Sequence, residues 1–117
     1  MSRLKSDFWV SAYLRRCAIA GLDAVLRRRG AAEAGAIFVK LDHLDGTASL
    51  FGPAPQALVA ADGMDRVFTR LLDRVPPLDV EERVKRETRF DPDLWLVEVD
   101  SREGRHDLDL ADEDGLP

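Results

Sequence analysis

The 117-residue chain predicts an α+β domain, on three observations. A helical apolar pattern opens the chain after Ser6-Asp7, two β-rich runs separated by Asp45-Gly46 follow, and an alternating segment from Leu94 to Asp100 closes it after two further helical stretches. One compact domain fits this length, since folding buries roughly two thirds of the unfolded surface at this size and builds a core without cross-links. Cys17 is the single cysteine, which excludes an intrachain disulfide, a zinc ribbon and a Cys-x-x-Cys redox site and suits a reducing compartment. No run approaches the ~18 apolar residues of a membrane span, and the N-terminus lacks the apolar stretch of a signal peptide. The expectation is a cytoplasmic protein.

The elements follow in order. Ser6 and Asp7 are helix starters, and Val10, Tyr13, Leu14, Cys17 and Ala20 recur at three and four residues, giving a helix over residues 7 to 20. Gly21 can end it, although the pattern can also run on to Arg29 with Gly30 as the stop. Gly35–Leu41 and Thr47–Phe51 form a β-hairpin around Asp45-Gly46. Gly52-Pro53-Ala54-Pro55 breaks the strand, and a second helix is expected from Asp62, because Met64, Val67, Phe68, Leu71, Leu72 and Val75 keep helical spacing up to Pro76-Pro77. Asp79 and Glu82 open a third, surface helix with only Val80 and Val84 apolar, supported by the pairs Glu81 with Lys85 and Glu82 with Arg86. Asp91-Pro92-Asp93 turns into the last strand, with Trp95, Val97 and Val99 on one face and Leu96, Glu98 and Asp100 on the other. Residues 1–104 make the domain, and 105–117 an acidic edge strand or frayed tail.

Several strings carry a resemblance: Phe8-Trp9-Val10-Ser11-Ala12-Tyr13-Leu14-Arg15-Arg16, Ala34-Gly35-Ala36-Ile37-Phe38-Val39-Lys40-Leu41, Leu44-Asp45-Gly46, Phe90-Asp91-Pro92-Asp93-Leu94-Trp95 and Arg102-Glu103-Gly104-Arg105-His106. Together they resemble DUF1491, a family of short bacterial proteins catalogued as a domain of unknown function. The resemblance brings no substrate, cofactor or catalytic residue. It implies a strand from Asp23, so that the first helix breaks at Gly21 and residues 23–29 pair with 35–42 across the Gly30–Ala34 turn. The implied order is α-β-β-β-α-α-β, an antiparallel sheet of about four strands with two to three helices on one face.

Charge is uneven along the chain. The totals are 17 basic and 22 acidic residues, net −5, yet residues 1–40 hold eight basic and three acidic side chains while the remainder holds nine and nineteen. Arg15, Arg16, Arg27, Arg28 and Arg29 could form an anion site, since guanidinium forks suit phosphate and carboxylate oxygens. Against this, Arg15 could simply serve the helix dipole while the others pair with downstream acids. Phe8, Trp9 and Tyr13 could stack on nucleic-acid bases, but the acidic balance opposes that, and core positions suit them better. Neither His43 nor His106 has metal-ligand spacing with Asp42, Asp45, Asp107 or Asp109, and His43 in a hairpin turn is expected in solvent; no metal and no cofactor are expected. There is no Gly-x-Ser-x-Gly elbow and no Gly-rich phosphate loop, and Cys17 sits on the apolar stripe of the first helix.

The reading that remains is a cytoplasmic binding or adaptor domain, using Arg15, Arg16 and Arg28 together with a second surface made of Arg105, His106 and the Asp91, Asp93, Trp95 turn. Trp95 serves there either as core anchor or as contact residue, with the strand pattern favouring the core. The partner would be a protein or an anionic small molecule. A rival reading is a small hydrolase or transferase acting on an anionic small molecule, with His106 as acid or base. Homodimerisation through an exposed sheet edge, Thr47–Phe51 or the C-terminal strand, is compatible with either.

Overall fold

A computed structural model describes residues 4–55 and 66–111. Helix α1 spans Ser6–Ile19, and strands β1 (Asp23–Arg28), β2 (Ile37–Asp42), β3 (Ala48–Pro53) and β4 (Phe68–Val75) lead to helix α2 (Pro77–Phe90) and strand β5 (Trp95–Asp100). The chain is thus an α+β domain, with one five-stranded mixed sheet in the order β1-β5-β2-β3-β4. β2 and β5 run parallel, and every other pairing is antiparallel. Among the described residues no helix is long and apolar enough to cross a membrane.

The first helix stops where Gly21 adopts φ +79°. The Gly21 N–H donates to the Ala18 carbonyl and the Leu22 N–H to the Cys17 carbonyl at 2.8 Å, the two bonds of a Schellman stop. Continuation to Arg29 is excluded, and β1 follows. Trp9, Val10, Tyr13 and Cys17 of α1 pack on one face of the sheet against Ile37, Val39, Leu41, Phe51, Phe68, Trp95, Val97 and Val99. Val80 and Val84 of α2 cover the opposite face with Phe38, Ala48, Leu50, Leu94 and Leu96. The helices therefore flank the sheet, correcting the expectation that both lie on one side: Phe38 of β2, Leu50 of β3 and Leu96 of β5 put apolar side chains on the second face as well, and that face needs its own cover.

Two further expectations fail. The segment read as a second helix is strand β4 from Phe68 onward; its proposed start, Asp62 and Met64, lies outside the described residues. Between Ala48↔Val75 and Gly52↔Thr69 the β3–β4 register slips twice, so Asp73 and Arg74 stand opposite Ser49, and Leu71 is inserted between Leu72 and Arg70. Each β-bulge adds a residue to a period of two, and the apolar spacing then imitates a helix. Phe68 turns to the α1 face, Leu71, Leu72 and Val75 to the α2 face.

The second failure is the β1–β2 hairpin. β5 lies between those strands, because its residues Trp95, Leu96, Val97 and Val99 are buried and belong in the sheet centre, whereas β1 alternates exposed and half-buried and belongs at the edge. The 30–35 loop is fastened to the start of β5 instead: Ala31 N–H donates to the Asp93 carbonyl and Trp95 Nε1–H to the Ala31 carbonyl at 2.8 Å. A Cβ at Gly30 or Gly35 would collide with that Asp93 carbonyl oxygen, so only glycine lets the two backbones approach.

The β2–β3 hairpin, the surface helix with Val80 and Val84 inward, and the last strand match expectation. Helix α2 starts at Pro77 rather than Asp79, proline's fixed φ being ready for the first helical position. After β5 the chain returns along the outer side of β4, where Phe68 N–H donates to the Asp109 carbonyl and Ala111 N–H to the Phe68 carbonyl. Residues 112–117 lie outside the described part.

Candidate functional site

The C-terminal end of α1 gathers three of the predicted site residues. Tyr13 is fully buried, and its hydroxyl donates to the His106 carbonyl at 2.6 Å, bringing the segment after β5 onto the helix. Arg16 then meets Asp107, Nε to Oδ2 2.9 Å, with its guanidinium 5.5 Å from the Tyr13 ring centre and 5.9 Å from that of Trp9. Arg105 donates to the Ala20 carbonyl at 3.1 Å, satisfying a backbone acceptor that the helix end leaves open. His106 accepts the Leu108 N–H on Nδ1 at 3.0 Å, and its ring lies 5.0 Å from that of Phe51.

Arg15 lies one residue away on the exposed face. It lines a hollow of about 370 Å³ with Phe8, Ser11, Ala12 and Arg16. A second hollow of about 240 Å³, lined by Leu4, Trp9, Arg66, Asp107 and Asp109, shares Ala12 and Arg16 with the first. Phe8 is 61% and Ile19 80% exposed on this outward face, while Trp9 and Tyr13 are buried in the core.

The other predicted residues lie elsewhere. Arg28 donates to the Leu94 carbonyl at 2.8 Å and so belongs with the turn before β5, not with Arg16. Asp91 accepts the Asp93 N–H on Oδ1, the ordinary use of an aspartate in a turn. Trp95 is buried beneath Arg29, which stands 5.2 Å over its ring, so it anchors the core and offers no contact surface.

Burial pushes the pKa values of Tyr13 and Cys17 up from their ordinary values, holding phenol and thiol protonated. Neither is a ready nucleophile.

Two polar constellations were not legible in the sequence. His43, expected in solvent, is 4% exposed: its Nε2 meets Ser49 Oγ at 2.9 Å, and Ser49 donates to Asp73 Oδ1 at 3.0 Å while accepting the Arg74 N–H. A catalytic triad places the carboxylate beyond the histidine; here it lies beyond the serine, and His43 Nδ1 makes no hydrogen bond among the described residues. Burial, then the Arg74 charge, lowers the His43 pKa. The group ties β2, β3 and the β4 bulge together around Arg74, whose φ is +52°.

The second constellation lies on the α2 face. Glu81 accepts from Arg27 Nη1 and Nη2 and from Lys40 Nζ at 2.6 Å, and Arg27 Nη1 also reaches Glu98 at 2.7 Å. Glu81 thus turns to the sheet rather than to Lys85, and the Arg27 fork pulls its pKa down to about 2. Beside it, carboxylate oxygens of Asp42, Glu98 and Asp100 lie within 4.8 Å of one another. Desolvation, helped by Glu98, Asp42 and Asp23, raises the Asp100 pKa. Neither histidine joins this group.

These features can be set beside known proteins. A sequence model of the DUF1491 family, described as a protein of unknown function, matches residues 4–109. The chain belongs to the DUF1491 family. It is similar to the solution structure of protein Atu0922 from A. tumefaciens, at 41% identity and a TM-score of 0.81 over 96% of this chain and 98% of that one. It is also similar to the crystal structure of a DUF1491 family protein from Caulobacter crescentus, at 34% identity and 0.74 over 92% and 96%. The NMR structure of a DUF1491 family protein from Caulobacter crescentus gives 36% and 0.73 over the same shares. No curated protein matches the chain. DUF1491 membership supplies the fold and no assigned activity.

Proposed function

We propose that this DUF1491 protein is a binding or adaptor domain of the cytoplasm that docks a partner protein through the outer face of α1. The observation that carries the reading is the exposure of Phe8 and Ile19 on the side of α1 turned away from the sheet, with Arg15 between them. A helix packed by Trp9, Tyr13 and Cys17 has no need of a second apolar stripe. Phe8 and Ala12 offer apolar contact and Arg15 an open guanidinium, whereas Arg16 is already held by Asp107. A matching partner presents an apolar side chain flanked by carboxylates, the pattern of an acidic amphipathic helix. The buried, reduced Cys17 suits a reducing compartment. The enzymatic alternative has less support, since His106 spends Nδ1 on the Leu108 N–H and packs its ring against Phe51.

The test places p-benzoylphenylalanine at position 8 in living cells, with position 90, a still more exposed phenylalanine on α2, as control. The expected result is one discrete adduct from position 8, lost in Arg15→Glu. The partner segment is then synthesised and its affinity for the two forms compared by calorimetry. Equal adducts from both positions, or an affinity indifferent to Arg15→Glu, would overturn the reading.

A further inference from the structure

β1 is an edge strand, and among the described residues no strand pairs with its outer side. Residues Thr47–Phe51, one of the edges that the sequence suggested for self-association, are interior, as β3. Along β1, Asp23, Val25 and Arg27 are the exposed residues, and Val25 is 57% exposed, an unusual place for a β-branched apolar side chain.

The charge at this edge is unbalanced. Asp23 stands opposite Asp100, and Asp100 opposite Asp42, so three aspartates lie level across three adjacent strands. Like charges facing one another across strands destabilise a sheet. The row ends at the open side of β1, where nothing among the described residues pairs Asp23. Four residues along, on the same face, Arg27 is anchored to Glu81 and Glu98 through Nη1 and Nη2, leaving Nε without a hydrogen bond among the described residues.

We infer that β1 pairs antiparallel with β1 of a second copy about a two-fold axis at Val25, so that Asp23 faces Arg27 of the copy at both ends. This register is self-complementary: Val25 meets Val25, Ala24 meets Leu26, and the aspartate row gains an arginine at its open end. The bulge at Arg27 confines the pairing to Asp23–Arg27 and keeps the operation closed, joining two five-stranded sheets into one of ten and stopping there. The contact is short, and the dimer therefore depends on concentration.

Sedimentation equilibrium of the full chain across the micromolar range tests this. The expected result is a monomer–dimer equilibrium, rising to twice the 13.1 kDa chain mass. Asp23→Arg sets arginine against arginine at both ends and weakens association by roughly tenfold or more, with an unchanged circular dichroism spectrum. As a check independent of that variant, Val25→Cys gives a disulfide-linked dimer on mild oxidation, while Phe90→Cys, at a more exposed position, does not; Cys17 is buried and does not compete. A wild-type chain that stays monomeric, an Asp23→Arg variant that associates as before, or equal cross-linking at positions 25 and 90 would overturn the pairing. So would association that appears only with added Mg²⁺ or Ca²⁺ and vanishes in EDTA, which would assign the carboxylate row to a cation.

Discussion

Glu81→Gln is the substitution whose consequence can be worked furthest. Glu81 is the one residue of α2 that reaches across to both β1 and β2, through two bonds to Arg27 at 2.8 and 3.0 Å and one to Lys40 at 2.6 Å. Its folded pKa of about 2 against the ordinary 4.5 corresponds to roughly 3 kcal/mol by linkage. The carboxylate is one-third exposed, so solvent screening reduces this to roughly 1–2 kcal/mol. Neutralisation also leaves Lys40, 7% exposed, with Glu98 at 3.9 Å as its remaining partner, which sets the loss toward the upper figure. The sign is fixed by the depressed pKa: the unfolded chain binds the proton first, so the contribution is complete above pH 4.5 and fades as pH falls toward 2. Urea unfolding of parent and variant at pH 7 and pH 2.5 measures it. The variant should lose ~1–2 kcal/mol at pH 7, about 4–8 °C in Tm for a domain of this size, and much less at pH 2.5. Equal losses at both pH values would refute the ionic account, and no loss at pH 7 would refute the anchoring of α2 through Glu81.

Two other outcomes follow from the same geometry. Gly30→Ala drives a Cβ into the backbone of Asp93 and Leu94, and because neither backbone can rotate away as a side chain would, the cost is on the order of 3 kcal/mol in chemical unfolding, whereas Gly46→Ala, with open space around it, suffers only its left-handed φ of +91°. His43 titrates below the ordinary histidine value of 6.5, so the unfolded state takes up its proton first and stability falls as pH drops below 6.5; NMR titration of its ring protons locates the midpoint, and His43→Gln should flatten that part of the pH–stability curve.

Much of the candidate surface was legible, because the information is local. Arg15 and Arg16 are exposed at the end of α1 since Trp9, Tyr13 and Cys17 take the inward positions. Arg28 could not be separated from Arg16 by sequence: both follow apolar patterns near a glycine, and only the Leu94 carbonyl shows which end of the molecule Arg28 serves. The hairpin suggested a solvated His43, but the loop after β5 closes over it, bringing Gly104 next to its ring. That closure depends on residues some sixty positions away.

The sequence by itself determined the α+β class, the hairpin at Asp45-Gly46 and the alternation of the last strand, all set by backbone preference and periodicity within a few residues. The tertiary structure decided that Phe68–Val75 is a strand, that β5 separates β1 from β2, and that Glu81 reaches Arg27 and Lys40. A bulged strand and a helix share the same apolar spacing, and strand order is a competition for the buried centre of the sheet. Neither is settled until the whole chain has packed.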